Sequence, residues 1–109
     1  MSAYAVQLTR AATKDLDQLP AADRERVAED LRGLADTPID APPRIRRLRA
    51  FGVPLYRLRS GDYRVLYRID ETLVTVLRVI NRRDLDRTLR QFAVTRALRG
   101  LTGKPPPAA

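Results

Sequence analysis

Seven arginines recur through the stretch from Leu55 to Arg83, LYRLRSGDYRVLYRIDETLVTVLRVINRR: Arg57, Arg59, Arg64, Arg68, Arg78 and the adjacent pair Arg82-Arg83. Guanidinium groups grip phosphate as paired, charge-assisted donors. They stay protonated and make poor general bases, so their chemistry at a phosphate is electrostatic. Preorganised positive charge stabilises a phosphorane as it forms. The chain has no histidine and no cysteine, which removes the usual neutral-pH proton shuttle and any thiolate nucleophile. RNA phosphate is the natural anion for such a set.

Positioning these arginines requires a sheet. Alternating runs flank Ser60-Gly61, a hairpin signal. With those two residues as the loop, Arg59 faces Asp62, Leu58 faces Tyr63, Arg57 faces Arg64 and Tyr56 faces Val65. One face then carries Tyr56, Leu58, Tyr63, Val65, Tyr67 and Ile69, and the other Arg57, Arg59, Arg64 and Arg68. A one-residue slip would bury the arginines. Opposed like charges such as Arg57 and Arg64 destabilise a sheet, and an anion bound between them relieves the cost. Arg59 with Asp62 reads as a turn-flanking ion pair, and Tyr63 and Tyr67 as core residues.

The rest of the chain supplies the scaffold. Tyr4 to Leu8 reads as a first strand. Thr9 is the expected N-cap of a helix bearing Ala12, Leu16 and Leu19. Pro20 closes that helix or opens the next. The second helix carries Val27, Leu31 and Leu34 and stops before Pro38, giving an αα-hairpin to cover one sheet face. A proline-rich connection, residues 36–44, leads to Ile45-Arg46-Arg47-Leu48-Arg49, then to the hairpin and a last strand, Leu73 to Ile80. That strand is apolar on both parities, so periodicity leaves its faces open. A C-terminal helix follows, with Leu85, Leu89 and Phe92 on one stripe and Val94, Leu98 and Leu101 continuing it to Gly100 and Gly103. The expected class is α+β: an N-terminal strand, the αα-hairpin, a three-strand antiparallel meander and a C-terminal helix. Residues 1–100 form one domain and 101–109 a disordered tail.

Net charge is +8 over 109 residues, and it is segregated. Residues 1–43 hold five Lys/Arg against eight Asp/Glu, whereas residues 44–109 hold sixteen against five. Nineteen of the 21 basic residues are arginine, which codon bias explains; the segregation it does not explain. A basic half of this kind is the electrostatic footprint of a nucleic-acid partner. No run of 18 apolar residues is present, and the N-terminus lacks a signal-peptide pattern, so a cytoplasmic protein without membrane contact is expected.

The element order, together with Tyr56-Arg57-Leu58-Arg59, Gly61-Asp62-Tyr63-Arg64-Val65, Tyr67 and the run Val79 to Asp84, resembles the RelE/ParE toxin superfamily of bacterial toxin–antitoxin modules over about residues 3–86. The resemblance implies a microbial-RNase-type sheet with helices on one face. It also implies a RelE-like endoribonuclease that cleaves mRNA in the ribosomal A site and is neutralised by a cognate antitoxin, with no cofactor and no metal. In such enzymes the ribose 2′-OH attacks the adjacent phosphate. By resemblance Arg57, Arg64 and Arg82 are the catalytic positions, with Arg49, Arg59, Arg83 and Arg47 as further RNA contacts.

The chain departs from the family pattern at four places. Leu55 stands where some relatives are basic, Ile80-Asn81 where Gly-His or Gly-Lys is usual, Asp86 where a tyrosine is expected, and Ala50 where glycine is common. The obvious proton-transfer groups are missing while the phosphate-binding arginines remain. Asp84 and Asp86 read as ion-paired helix-start residues ahead of any role as a base. The alternative functions are therefore a non-catalytic, ParE-like inhibitor of DNA gyrase, or a degenerate binding module of the same fold.

Overall fold

Thr9 joins the first strand to the first helix and to the middle of the sheet. Its Oγ1 accepts from the Ala12 backbone N–H at 3.1 Å, capping the helix, and donates to the Leu77 carbonyl at 3.0 Å. Such a cap contributes about 1 kcal/mol. The computed structural model describes residues 3–39, 44–48 and 55–92. Within them the chain runs β1 (Ala5–Leu8), α1 (Arg10–Asp17), α2 (Ala21–Gly33), β2 (Ile45–Leu48), β3 (Leu55–Ser60), β4 (Tyr63–Asp70) and β5 (Leu73–Asn81). A 3₁₀ turn (Arg82–Asp84) then leads into helix at residues 85–92. Pro20 occupies the N-cap of α2, and its carbonyl accepts from Arg24 at 2.8 Å.

The five strands form one sheet in the order β1-β5-β4-β3-β2, with β1 parallel to β5 and the other pairs antiparallel. The α+β class with both hairpin helices on one face is as the sequence indicates. The sheet gains an edge strand, β2, in a segment the sequence marks only as basic and irregular. The core lies between the helices and one sheet face: Ala12, Val27, Leu31 and Leu34 pack on Leu58, Val65, Tyr67, Val74, Val76 and Val79. Each fully buried aliphatic side chain contributes about 1.5–3 kcal/mol, so this layer is the main source of stability. Tyr67 stacks on Tyr56 with ring centroids 5.5 Å apart and donates its hydroxyl to the Pro38 carbonyl at 2.7 Å. Burial pushes its pKa well above the ordinary phenol value.

β5 lies between β1 and β4, which is why it is apolar on both parities. A bulge at Leu77 shifts its parity: Val76 opposes Tyr67, but Arg78 opposes Leu66. Val74 and Val76 before the bulge, and Val79 after it, therefore all face the helices although their spacing breaks the alternation. The residues expected to continue the C-terminal helix (Val94, Leu98, Leu101), its terminating glycines and the 101–109 tail lie outside the described residues.

Candidate phosphate-binding site

The β3–β4 hairpin turns one residue later than the Ser60-Gly61 loop predicts. Ser60 pairs with Tyr63, Arg59 with Arg64, Leu58 with Val65, Arg57 with Leu66 and Tyr56 with Tyr67. The two loop residues are Gly61 and Asp62, and Gly61 takes the positive φ of 57° that glycine adopts without strain. A long-range contact accounts for the difference. The Ser60 side chain is buried, and its hydroxyl donates to Asp30 of α2 at 2.6 Å, which draws Ser60 into the strand. The other Asp30 oxygen takes the Arg44 guanidinium. The register changes by two residues, so every side chain keeps its expected face.

The expected Arg57–Arg64 opposition is thus replaced by two others. Arg59 stands directly across from Arg64, and Arg46 of β2 stands directly across from Arg57. Asp62 lies nearer Arg82 than Arg59: the Arg82 Nε is 3.9 Å from its carboxylate, and the Arg82 backbone N–H donates to the Asp62 carbonyl at 2.8 Å. The predicted Arg59–Asp62 pair is corrected accordingly. Arg64 is anchored at the turn, where its Nη1 lies 3.0 Å from both the Gly61 and the Tyr63 carbonyl.

Arg57, Arg59 and Arg64 all leave the face opposite α1 and α2. Between them lies an apolar floor: Leu66 opposes Arg57, Ile80 opposes Arg64, and Leu55 opposes Leu48, with Leu55, Leu66 and Ile80 all buried. Leu55 is part of this floor. Partial burial, then the neighbouring Arg64, Arg46 and Arg59, hold the Arg57 pKa below its ordinary value. Arg64 is lowered by burial, then by Arg59 and Arg82, against an opposing effect of Asp62. Guanidinium groups that depress one another stand where an added anion would stabilise the cluster. The apolar floor strengthens each such interaction relative to bulk water.

The remaining basic residues are placed differently. Arg47 opposes Tyr56, so it belongs to the helix-side face and is not brought together with Arg57. Arg83 is exposed, and its backbone N–H and Nε both reach Asn81 Oδ1, at 3.1 and 3.2 Å. Asn81 N-caps the 3₁₀ turn. Arg49 lies outside the described residues. Arg68 is 3.2 Å from Asp70. Asp84 pairs with Arg87 at 3.1 Å, as expected for a helix-start carboxylate. From the sequence Arg46 stands only within the basic cluster Arg44, Arg46, Arg47 and Arg49, which reads as a solvated loop or a contact for RNA or antitoxin, and not as a named RNA contact. Its signal is the short Ile45-Arg46-Arg47-Leu48 pattern, with buried Ile45 opposite Leu58, which places Arg46 on the arginine face.

An open cleft of about 480 Å³ lies off the other side of the β5 end, lined by Asp15, Gln18, Tyr63, Arg78, Asp84 and Arg87 among others. Its charges are matched internally, Asp15 with Arg78 and Asp84 with Arg87. Among the described residues no group of three or more His, Cys, Asp or Glu side chains is placed to hold a metal ion, and no helix is long and apolar enough to cross a membrane.

Comparison with known proteins agrees with this architecture. Residues 6–86 match the family model of the ParE toxin of type II toxin–antitoxin systems, parDE. The toxin RelG of Mycobacterium tuberculosis is 38% identical over 87 residues, a match covering 77% of this chain and 97% of that protein. The RelE–RelB complex of Pyrococcus horikoshii superposes with a TM-score of 0.62 at 31% identity, covering 73% of this chain and 96% of the other. The RelBE2 toxin–antitoxin complex of M. tuberculosis gives a TM-score of 0.62 at 34% identity, covering 72% and 96%. Fold and sequence together define a RelE-like toxin of a type II toxin–antitoxin system. The chain belongs to the ParE toxin family, within the RelE/ParE superfamily.

Proposed function

We propose that this toxin is a ribosome-dependent endoribonuclease that cleaves mRNA in the A site through charge stabilisation by Arg57, Arg64 and Arg82. The observation that carries the reading is the cross-strand opposition of arginines on one sheet face, above buried Leu66 and Ile80. Two opposed like-charge pairs cost stability, and phosphate binding gives them a use. In the reaction the 2′-oxygen attacks phosphorus and the 5′-oxygen leaves. Arg64 and Arg82 would neutralise the non-bridging oxygens as charge accumulates, and Arg57 would hold the backbone. A preorganised donor of this kind contributes about 3–4 kcal/mol to the barrier.

The test uses purified protein and ribosomes programmed with a defined mRNA. The wild type should cut the A-site codon, and Arg64→Ala and Arg82→Ala should abolish cutting while both variants remain folded. Absence of cleavage by a folded wild type rejects the reading.

A second reading comes from the matched family model, which bears the ParE name. A ParE-like toxin would inhibit DNA gyrase without nucleolysis. Loss of supercoiling activity with mRNA left intact would favour it.

The RelE–RelB complexes among the relatives support a cognate antitoxin for this chain. The toxin would act in the cytoplasm, where its RNA target lies. An acidic antitoxin segment complements the basic half, and tight association that persists at physiological salt is expected.

A further inference from the structure

Alternation fixes the face that each β3 residue takes, but two registers satisfy it. With Gly61-Asp62 as the loop, Arg59 opposes Arg64; with Ser60-Gly61 as the loop, Arg57 would oppose Arg64. The second register moves β3 two residues along β4, about 7 Å, and keeps every side chain on its own face. Apolar burial separates the two weakly, because Leu58 would then oppose Tyr63 and Tyr56 would oppose Val65. A directional contact must choose between them.

Asp30 of α2 supplies it, holding the sheet corner from both sides of Arg59. Its Oδ2 accepts from the buried Ser60 hydroxyl at 2.6 Å, within the range of a strong O–H···O⁻ bond. Its Oδ1 takes the Arg44 guanidinium, and the Arg44 carbonyl accepts from the Arg59 N–H at 2.8 Å. Four residues earlier on the same helix, Arg26 lies over the hairpin loop: a Cβ added to Gly61 would come within 2.6 Å of its Nη1. In the alternative register Leu58 would stand at the place of Ser60. The Asp30 carboxylate, 17% exposed, would then lose its hydroxyl donor.

We propose that the Ser60–Asp30 bond selects the working register of β3, making Asp30 and Ser60 positioning residues that act through Arg57 and Arg59. The inference rests on the nuclease reading and adds to it a second register, folded but inactive. Slippage carries Arg57 and Arg59 about 7 Å relative to Arg64 and Arg82. Pairing of β4 with β5 and the bond from the Arg82 N–H to the Asp62 carbonyl hold those two in place. At a reacting centre a misplacement of about 1 Å can already cost on the order of a hundredfold in rate.

Cross-strand backbone NOEs in isotopically labelled protein report the register directly. The wild type should show one set, Arg59 with Arg64. Ser60→Ala removes the selecting bond, shifts the ratio of registers about tenfold, and should add a second set, Arg57 with Arg64. On programmed ribosomes its kcat should fall by the fraction of molecules in that second set. Ser60→Thr keeps the hydroxyl and should return the single set and the activity. Combining Ser60→Ala with Asp30→Ala removes both partners, so the urea midpoint should recover while the second set and the lost activity remain. A Ser60→Ala variant that keeps the single Arg59–Arg64 set overturns the inference, and so does activity that returns with stability in the double variant. A wild type that leaves mRNA intact rejects the nuclease reading and with it the positioning role, whereas a second NOE set in Ser60→Ala would still establish the choice of register.

Discussion

Asp15 of α1 accepts both ends of the Arg78 fork, at 2.7 and 3.0 Å, and the Val79 backbone N–H at 3.0 Å. One carboxylate thus ties the first helix to β5 just past the bulge, where β1 has ended. It also removes Arg78 from the set of arginines offered to phosphate. The Asp15 hydrogen bonds raise the Arg78 pKa, outweighing the effect of burial. Asp15→Ala should lower stability by about 2 kcal/mol, read as a lower urea midpoint, because it leaves a partly buried cation and a strand N–H without their acceptor. An unchanged midpoint would show the contact to be dispensable.

Arg59 and Arg64 make the opposite prediction. Replacing Arg59 by glutamine removes a directly opposed like charge and should stabilise the fold by about 0.5 kcal/mol. The same change should weaken cleavage. A rise in melting temperature with a fall in activity is the signature of charge held in place for binding; a fall in both would refute it.

Glu71 is the non-glycine residue with positive φ among the described residues, at 53°, in the loop between β4 and β5. Left-handed backbone costs an L-residue about 1–2 kcal/mol, part of which glycine returns as unfolded-state entropy. Glu71→Gly should raise the melting temperature by a few degrees without altering activity, and calorimetry checks this.

Tyr67→Phe removes the 2.7 Å hydrogen bond to the Pro38 carbonyl and leaves the ring stack in place. A loss of about 1–2 kcal/mol is expected from the unsatisfied acceptor. Chemical denaturation of the variant measures it.

The pH dependence follows from the arginines. Arg78, raised, contributes stability that is complete below the ordinary arginine value and lost only as pH climbs beyond its folded value. Arg57 and Arg64, lowered, are disfavoured as cations in the fold, a penalty that fades only as strongly alkaline pH deprotonates them. With no histidine in the chain, none of these shifts contributes a stability change near neutral pH. If catalysis is electrostatic, cleavage should rise with hydroxide from about pH 6 to 9 without a plateau. A plateau abolished by Asp84→Asn or Asp86→Asn would instead identify a protein base.

By itself the sequence determined everything that depends on local periodicity. Alternation put Arg57, Arg59, Arg64 and Arg68 on one face and the tyrosines on the other, because side chains alternate whatever the register. Spacing and capping chemistry gave α1, α2 and the Thr9 cap. Tertiary structure decided which arginines meet. Buried Ser60 reaching Asp30 moved the turn to Gly61-Asp62 and replaced Arg57–Arg64 by Arg59–Arg64. Pairing with β3 turned a basic connection into β2 and brought Arg46 opposite Arg57 while sending Arg47 to the helix side. The bulge at Leu77 broke the parity of β5, and Asp15 neutralised Arg78. Each of these depends on partners far apart in the chain, and such partners leave no local pattern to read.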